Sequence, residues 1–155
     1  MNAMSQLQQQ VIGRLTASVA EVPSLEPVAG EISWVTEDRG DFANIIQRAT
    51  AKVGIVGIVM TPGGGKLFEL GCYPIQFTCP IEIQIQENVT VNRGAAGTQI
   101  SSLDLLQFCM KRLHLWSPSH QRINRIELDE NPYLLVAETP ILVYNVRFIA
   151  KLSIQ

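Results

Sequence analysis

Residues 77–91, "FTCPIEIQIQENVTV", constrain the fold of this chain more than any other stretch. Phe77, Cys79, Ile81, Ile83, Ile85, Val89 and Val91 alternate with Thr78, Pro80, Glu82, Gln84, Gln86, Asn88 and Thr90. Side chains along a strand point to opposite faces in turn, so this pattern predicts one face on a core and the other in water. The apolar series is broken once, at Glu87. Fully extended, the stretch would span roughly 50 Å at about 3.3 Å per residue. A domain of this length has a radius of gyration of about 15 Å. The strand therefore bends near Glu87 and Asn88 or projects beyond the body. Pro80 lacks an amide donor, which predicts a sheet edge or a bulge there.

The other segments read in the same way. Leu7, Val11, Leu15 and Val19, with Ile12 beside them, form one apolar stripe on an N-terminal helix. Residues 1–5 are expected to be disordered, and Pro23 and Pro27 open a loop to about Asp38. Asp41 is placed to cap a short helix, "FANIIQRATA". "KVGIVGIVM" is a buried strand or the start of a hairpin. Ser101 or Ser102 caps a helix that carries Leu106, Cys109, Met110 and Leu113 on one stripe. "RINRIEL" and "YLLVAE" read as strands separated by a "DENP" turn, and Pro140 marks a bend before "ILVYNVRFIAKLSI". The order is α-α-β-β-β-α-β-β. It predicts a single α+β domain over residues 1–155, with a mostly antiparallel sheet and helices packed on one face.

"VMTPGGGKLFEL", residues 59–70, raises the question of nucleotide binding. A phosphate-binding loop needs a glycine, four residues, then Gly-Lys and a hydroxyl residue. The first glycine would fall at Met60, Leu67 follows Lys66, and no capped helix comes next. Pro62 followed by Gly63, Gly64 and Gly65 between apolar runs is instead a hairpin connection. Such a loop orders against a partner, where Lys66 would meet an acidic surface. A second glycine loop follows the long strand, with Arg93, Gly94 and Gly97 open to a ligand or a neighbouring subunit.

Catalytic chemistry is thin. His114 and His120 have no cysteine or carboxylate at ligand spacing, and no C-x-x-C pair is present. Cys79 and Cys109 lie on apolar faces, and Cys72 sits in a turn. No G-x-S-x-G occurs, and Glu127, Asp129 and Glu130 read as a solvated turn. The net charge of −2 gives no global pull towards nucleic acid. The N-terminus has no apolar signal core, and no apolar run is long enough to cross a bilayer. Neither a cofactor nor a metal is expected. Long amphipathic strands with few convergent polar groups favour an interaction protein, one able to extend its sheet onto a neighbour.

In order and character these elements resemble the tail terminator or tail completion (minor tail) proteins of bacteriophages and prophages. The resemblance runs through "LQQQVIGRLTASV", the glycine-tipped hairpin, "CPIEIQIQENVTVNR", "SSLDLLQFCMKRLHLW" and "YNVRFIAKLSI". It implies a non-enzymatic α+β protein that assembles as a hexameric ring. The ring would cap the tail tube and contact the head–tail connector. Its partners would be itself, the tail-tube protein and the connector, with no membrane and no specific nucleic acid. It would lie in the virion tail, and in the host cytoplasm during assembly. By position, loops 61–66 and 92–98 would face the lumen or the next ring. Three other readings stay open. One is another tail, neck or baseplate component. Another is a ligand-binding domain or enzyme whose pocket joins Cys72, a histidine and a carboxylate. The third is a nucleic-acid-associated protein with Lys111, Arg112, Arg122, Arg125, Arg147 and Lys151 on one face.

Overall fold

The computed structural model describes residues 3–18, 32–36, 41–61, 75–118 and 123–154. The helices are α1 (Ala3–Ser18), α2 (Phe42–Lys52), α3 (Val89–Asn92) and α4 (Ser102–Leu113). The strands are β1 (Ser33–Thr36), β2 (Ile55–Met60), β3 (Ile75–Asn88), β4 (Ile123–Leu128), β5 (Tyr133–Glu138) and β6 (Ile141–Ile154). They form one six-stranded sheet in the order β1-β2-β3-β6-β4, with β5 also paired to β6. Among the described residues only β1 and β2 run parallel and every other pairing is antiparallel, so the class is α+β.

The alternating stretch is the centre of the sheet. All of β3 pairs with β6, from Ile75 opposite Ile154 to Asn88 opposite Ile141. Ile81, Ile83 and Ile85 point to the same face as Val146, Phe148, Ala150 and Leu152 of β6, and all are buried. Leu7, Val11 and Leu15 of α1 and Leu105, Leu106, Cys109 and Leu113 of α4 cover that face. Fully burying each such aliphatic side chain contributes about 1.5–3 kcal/mol. Gly57 of β2 lies under Trp34 of β1, and a Cβ there would strike the indole ring.

Several expectations are corrected. Helices do not all pack on one face. Ala49 of α2, with Ile45 and Ile46, packs on Val35 and Val56, which point away from the main core. β1 arises in a region read as loop, and the three segments named after α4 are separate strands, one more than the element order allowed. α1 begins at Ala3, inside the stretch expected to be disordered, because Ala3 is buried against the core. The Asp41 side chain makes no capping bond to α2. β3 does not run on to Val91; the chain turns off the strand at Asn88, where a bend was expected. The Asn88 side chain accepts a hydrogen bond from Val91 N and starts the single turn of α3. Pro80 pairs with Ile149 and lies past the last β2 pair, Met60 with Glu82. Among the described residues β3 therefore has a neighbour on one side only at Pro80, which agrees with a missing donor. Val19 lies outside the described residues.

The two strands on the outer side of β6 differ in how they are finished. β4 is closed by the turn after α4. Leu115 N donates to Ile126 O at 2.8 Å, and Ile126 N donates to Trp116 O at 2.9 Å. Leu128 N donates to His114 Nδ1 at 2.9 Å. Arg14 of α1 holds that turn from behind, 5.4 Å from the centre of the Trp116 ring. β5 has β6 on one side and, among the described residues, no strand on the other.

Candidate interaction surface

Two features stand out, a buried polar cluster at the end of β3 and the open edge at β5. The cluster starts from Glu87, the one residue that interrupts the apolar alternation. Its position on the core face puts it at the start of α4, fully buried. Oε1 accepts from Ser102 N at 3.1 Å and from Arg93 Nη2 at 3.3 Å. Oε2 accepts from Asn92 Nδ2 at 2.7 Å and from Arg93 Nε at 3.3 Å. Burial alone would raise the Glu87 carboxyl; the donors from Arg93, Asn92 and Ser102 outweigh it and hold it below the ordinary range. The same pairing pushes the Arg93 guanidinium further up.

Asn92 is the second centre. Its Nδ2 also donates to Ile100 O at 2.7 Å, and its Oδ1 accepts from Thr98 N at 3.3 Å and from the Thr98 hydroxyl. Both hydrogens and both lone pairs of the buried amide are used, as burial of such a group requires. The backbone fits as tightly. A Cβ on Gly97 would collide with Asn92 O, and one on Gly54, at φ +85°, would collide with the Asn92 backbone.

Arg93, Gly94 and Gly97 therefore belong to a tied turn and not to a flexible loop. Gly97 is there because no side chain fits against Asn92. Arg93 keeps half its side chain in water while it pairs with Glu87. Pro62, Gly63, Gly64, Gly65 and Lys66 lie outside the described residues, as do Cys72 and His120. His114 closes β4. Cys79 and Cys109 are buried thiols, and burial pushes Cys109 far up. Of the basic residues named above, Arg122 lies outside the described residues and two are held in ion pairs. Arg147 faces Glu82 at 3.6 Å and Glu130 at 3.9 Å, and Arg125 holds Glu127 at 2.7 Å. Among the described residues no cluster of His, Cys, Asp and Glu has a geometry for metal, and no helix is long and apolar enough to cross a membrane.

The edge is the feature sequence reading missed. Tyr133, Leu134, Leu135 and Val136 are 40–43% exposed, and all six residues of β5 are exposed. A strand with a wet face would show alternation; four apolar residues in a row put apolar groups on both faces. Tyr133 is anchored by its hydroxyl, which accepts from Asn145 Nδ2 at 2.9 Å. The signal was present in "YLLVA", an apolar run on a short strand bounded by acidic turns.

Neither a family model nor a curated protein matches the sequence. Among solved structures, a chain of the "Virion of native gene transfer agent (GTA) particle" is similar, with a TM-score of 0.59 and 11% identity. The likeness covers 99% of each chain. The two share a fold. The correspondence runs from end to end, so it includes the β3–β6 centre and its flanking elements rather than one motif.

Proposed function

We propose that this chain is a structural protein of a phage-like particle, a tail component that forms a ring at the end of the tail tube. The observation that carries this reading is the fold likeness over 99% of both chains to a protein of a gene transfer agent virion. The order of the elements, which resembles that of tail terminator proteins, fits the same setting. The described polar groups support a non-enzymatic role. Glu87, Asn92 and Thr98 are spent on each other and on the backbone, and Arg147 and Arg125 on carboxylates. In this role loops 61–66 and 92–98 are candidates to meet the lumen or a neighbouring ring. The Glu87 cluster would hold the second of them in one shape.

Light scattering of the purified protein across a concentration range, with negative-stain images, tests the reading. Rings of about six 17.1 kDa chains are expected, alone or once tail-tube protein is added. A stable dimer that forms no ring with or without the tube would refute it.

A further inference from the structure

We infer that the β5 edge receives an extended strand from a different protein, apolar along its middle and basic at its ends. An open edge presents unpaired amide and carbonyl groups in a row, and only another extended backbone satisfies such a row. The contrast within this sheet makes the opening specific. β4, on the same side of β6, has its outer groups taken by Leu115, Trp116 and His114. β5 has one irregularity in its pairing, between Leu134 and Val136, but carries no lysine, no proline and, among the described residues, no covering loop. Its four successive apolar residues are each about two-fifths exposed, on both faces.

Charge selects the occupant. Asp129 and Glu130 precede the strand and Glu138 ends it, all exposed. Arg147 offsets Glu130 only, at 3.9 Å. A second copy pairing β5 with β5 in antiparallel fashion would set Glu138 opposite Tyr133, with Asp129 and Glu130 just beyond, so acidic groups would crowd both ends of the pair. A strand with lysine or arginine at both ends avoids that penalty. This surface is separate from the ring contacts proposed above and does not depend on them.

The test uses the full chain and a fluorescein-labelled peptide of alternating valine and tyrosine between paired lysines, read by anisotropy. A glutamate-flanked version is the control. The lysine-flanked peptide is expected to bind saturably, at least tenfold tighter than the control, and to slow amide exchange in residues 133–138. Leu135→Lys, at an exposed position, places a charge in mid-edge and should weaken binding at least tenfold without changing the circular dichroism. Glu138→Lys should weaken the lysine-flanked peptide and strengthen the other. No saturable binding, or binding indifferent to flank charge and to both substitutions, overturns the inference. So does loss of self-association in Leu135→Lys, because the edge would then be occupied by a second copy. A parent protein that never forms rings would refute the ring reading alone, and the peptide result would still decide this one.

Discussion

Glu87→Gln removes one charge and almost no volume, which makes it a sharp probe of the cluster at the end of β3. Each oxygen of Glu87 accepts from two donors. A glutamine has one oxygen, so its amide nitrogen must face two donors whichever way it turns. One of either pair belongs to Arg93, which is half exposed and can turn to water. The other is buried, Asn92 Nδ2 or Ser102 N. A buried donor left without an acceptor costs about 1–3 kcal/mol. The surviving bonds also lose their ionic character, which adds about 1 kcal/mol. The expected loss is about 2–4 kcal/mol in urea unfolding followed by circular dichroism. For a chain of this size, at about 3 °C per kcal/mol, the midpoint should fall by about 6–12 °C.

The pH dependence supplies a second check. The folded carboxyl sits below its unfolded value, near 4.5. Its contribution is therefore complete above about pH 4.5 and is lost as pH falls through the lower folded value. The gap between parent and variant should be constant near neutrality and close in acid. A variant within about 0.5 kcal/mol of the parent would refute the reasoning, as would a gap that stays open at the lowest pH where both proteins fold.

Other expectations follow from the same geometry. Arg93→Ala should cost only about 1 kcal/mol, since Asn92 and Ser102 still serve Glu87 and the arginine is half in water; a double-mutant cycle with Glu87→Gln reads the coupling. Gly54→Ala should destabilise by more than about 2 kcal/mol, because positive φ and the Asn92 backbone both oppose a Cβ; equilibrium unfolding would show it. Phe148→Ala, in the centre of the core, should cost about 3–5 kcal/mol by the same measurement. A thiol reagent at pH 8 should leave Cys79 and Cys109 unlabelled in the native protein and label both in urea, as peptide mapping would record.

What could be read in the sequence follows periodicity. The isoleucines at 81, 83 and 85 announce their strand because side-chain direction is fixed by position alone. Leu7, Val11 and Leu15 announce α1 for the same reason. Glu87 was visible as an interruption, but its role was not, since its four donors come from a turn and a helix end that only the fold brings together. Asn92 gave no signal at all; an asparagine in "VNRG" resembles any loop residue until Thr98 and Ile100 close around it. β1 is four residues long, too short for a period to emerge. The placement of α2 on the second face depends on Val35 and Val56, which no local pattern distinguishes from the main core. The apolar run of β5 reads as a strand, yet its exposure depends on what lies beside it.

The long pairing of β3 with β6 also sets a timetable. Ile75 must find Ile154, and every rung of that ladder joins residues far apart in the chain. Contacts of such high sequence separation are slow to form, because the loop between them must be ordered first. On the ribosome, β3 emerges while β4, β5 and β6 are still to be made, so the isoleucine row waits without the strand that completes its sheet. The middle of this molecule is therefore finished late. Any partner that adds to the edge of the sheet finds its docking strand in place only after β6 has been threaded, which makes assembly follow synthesis and not accompany it.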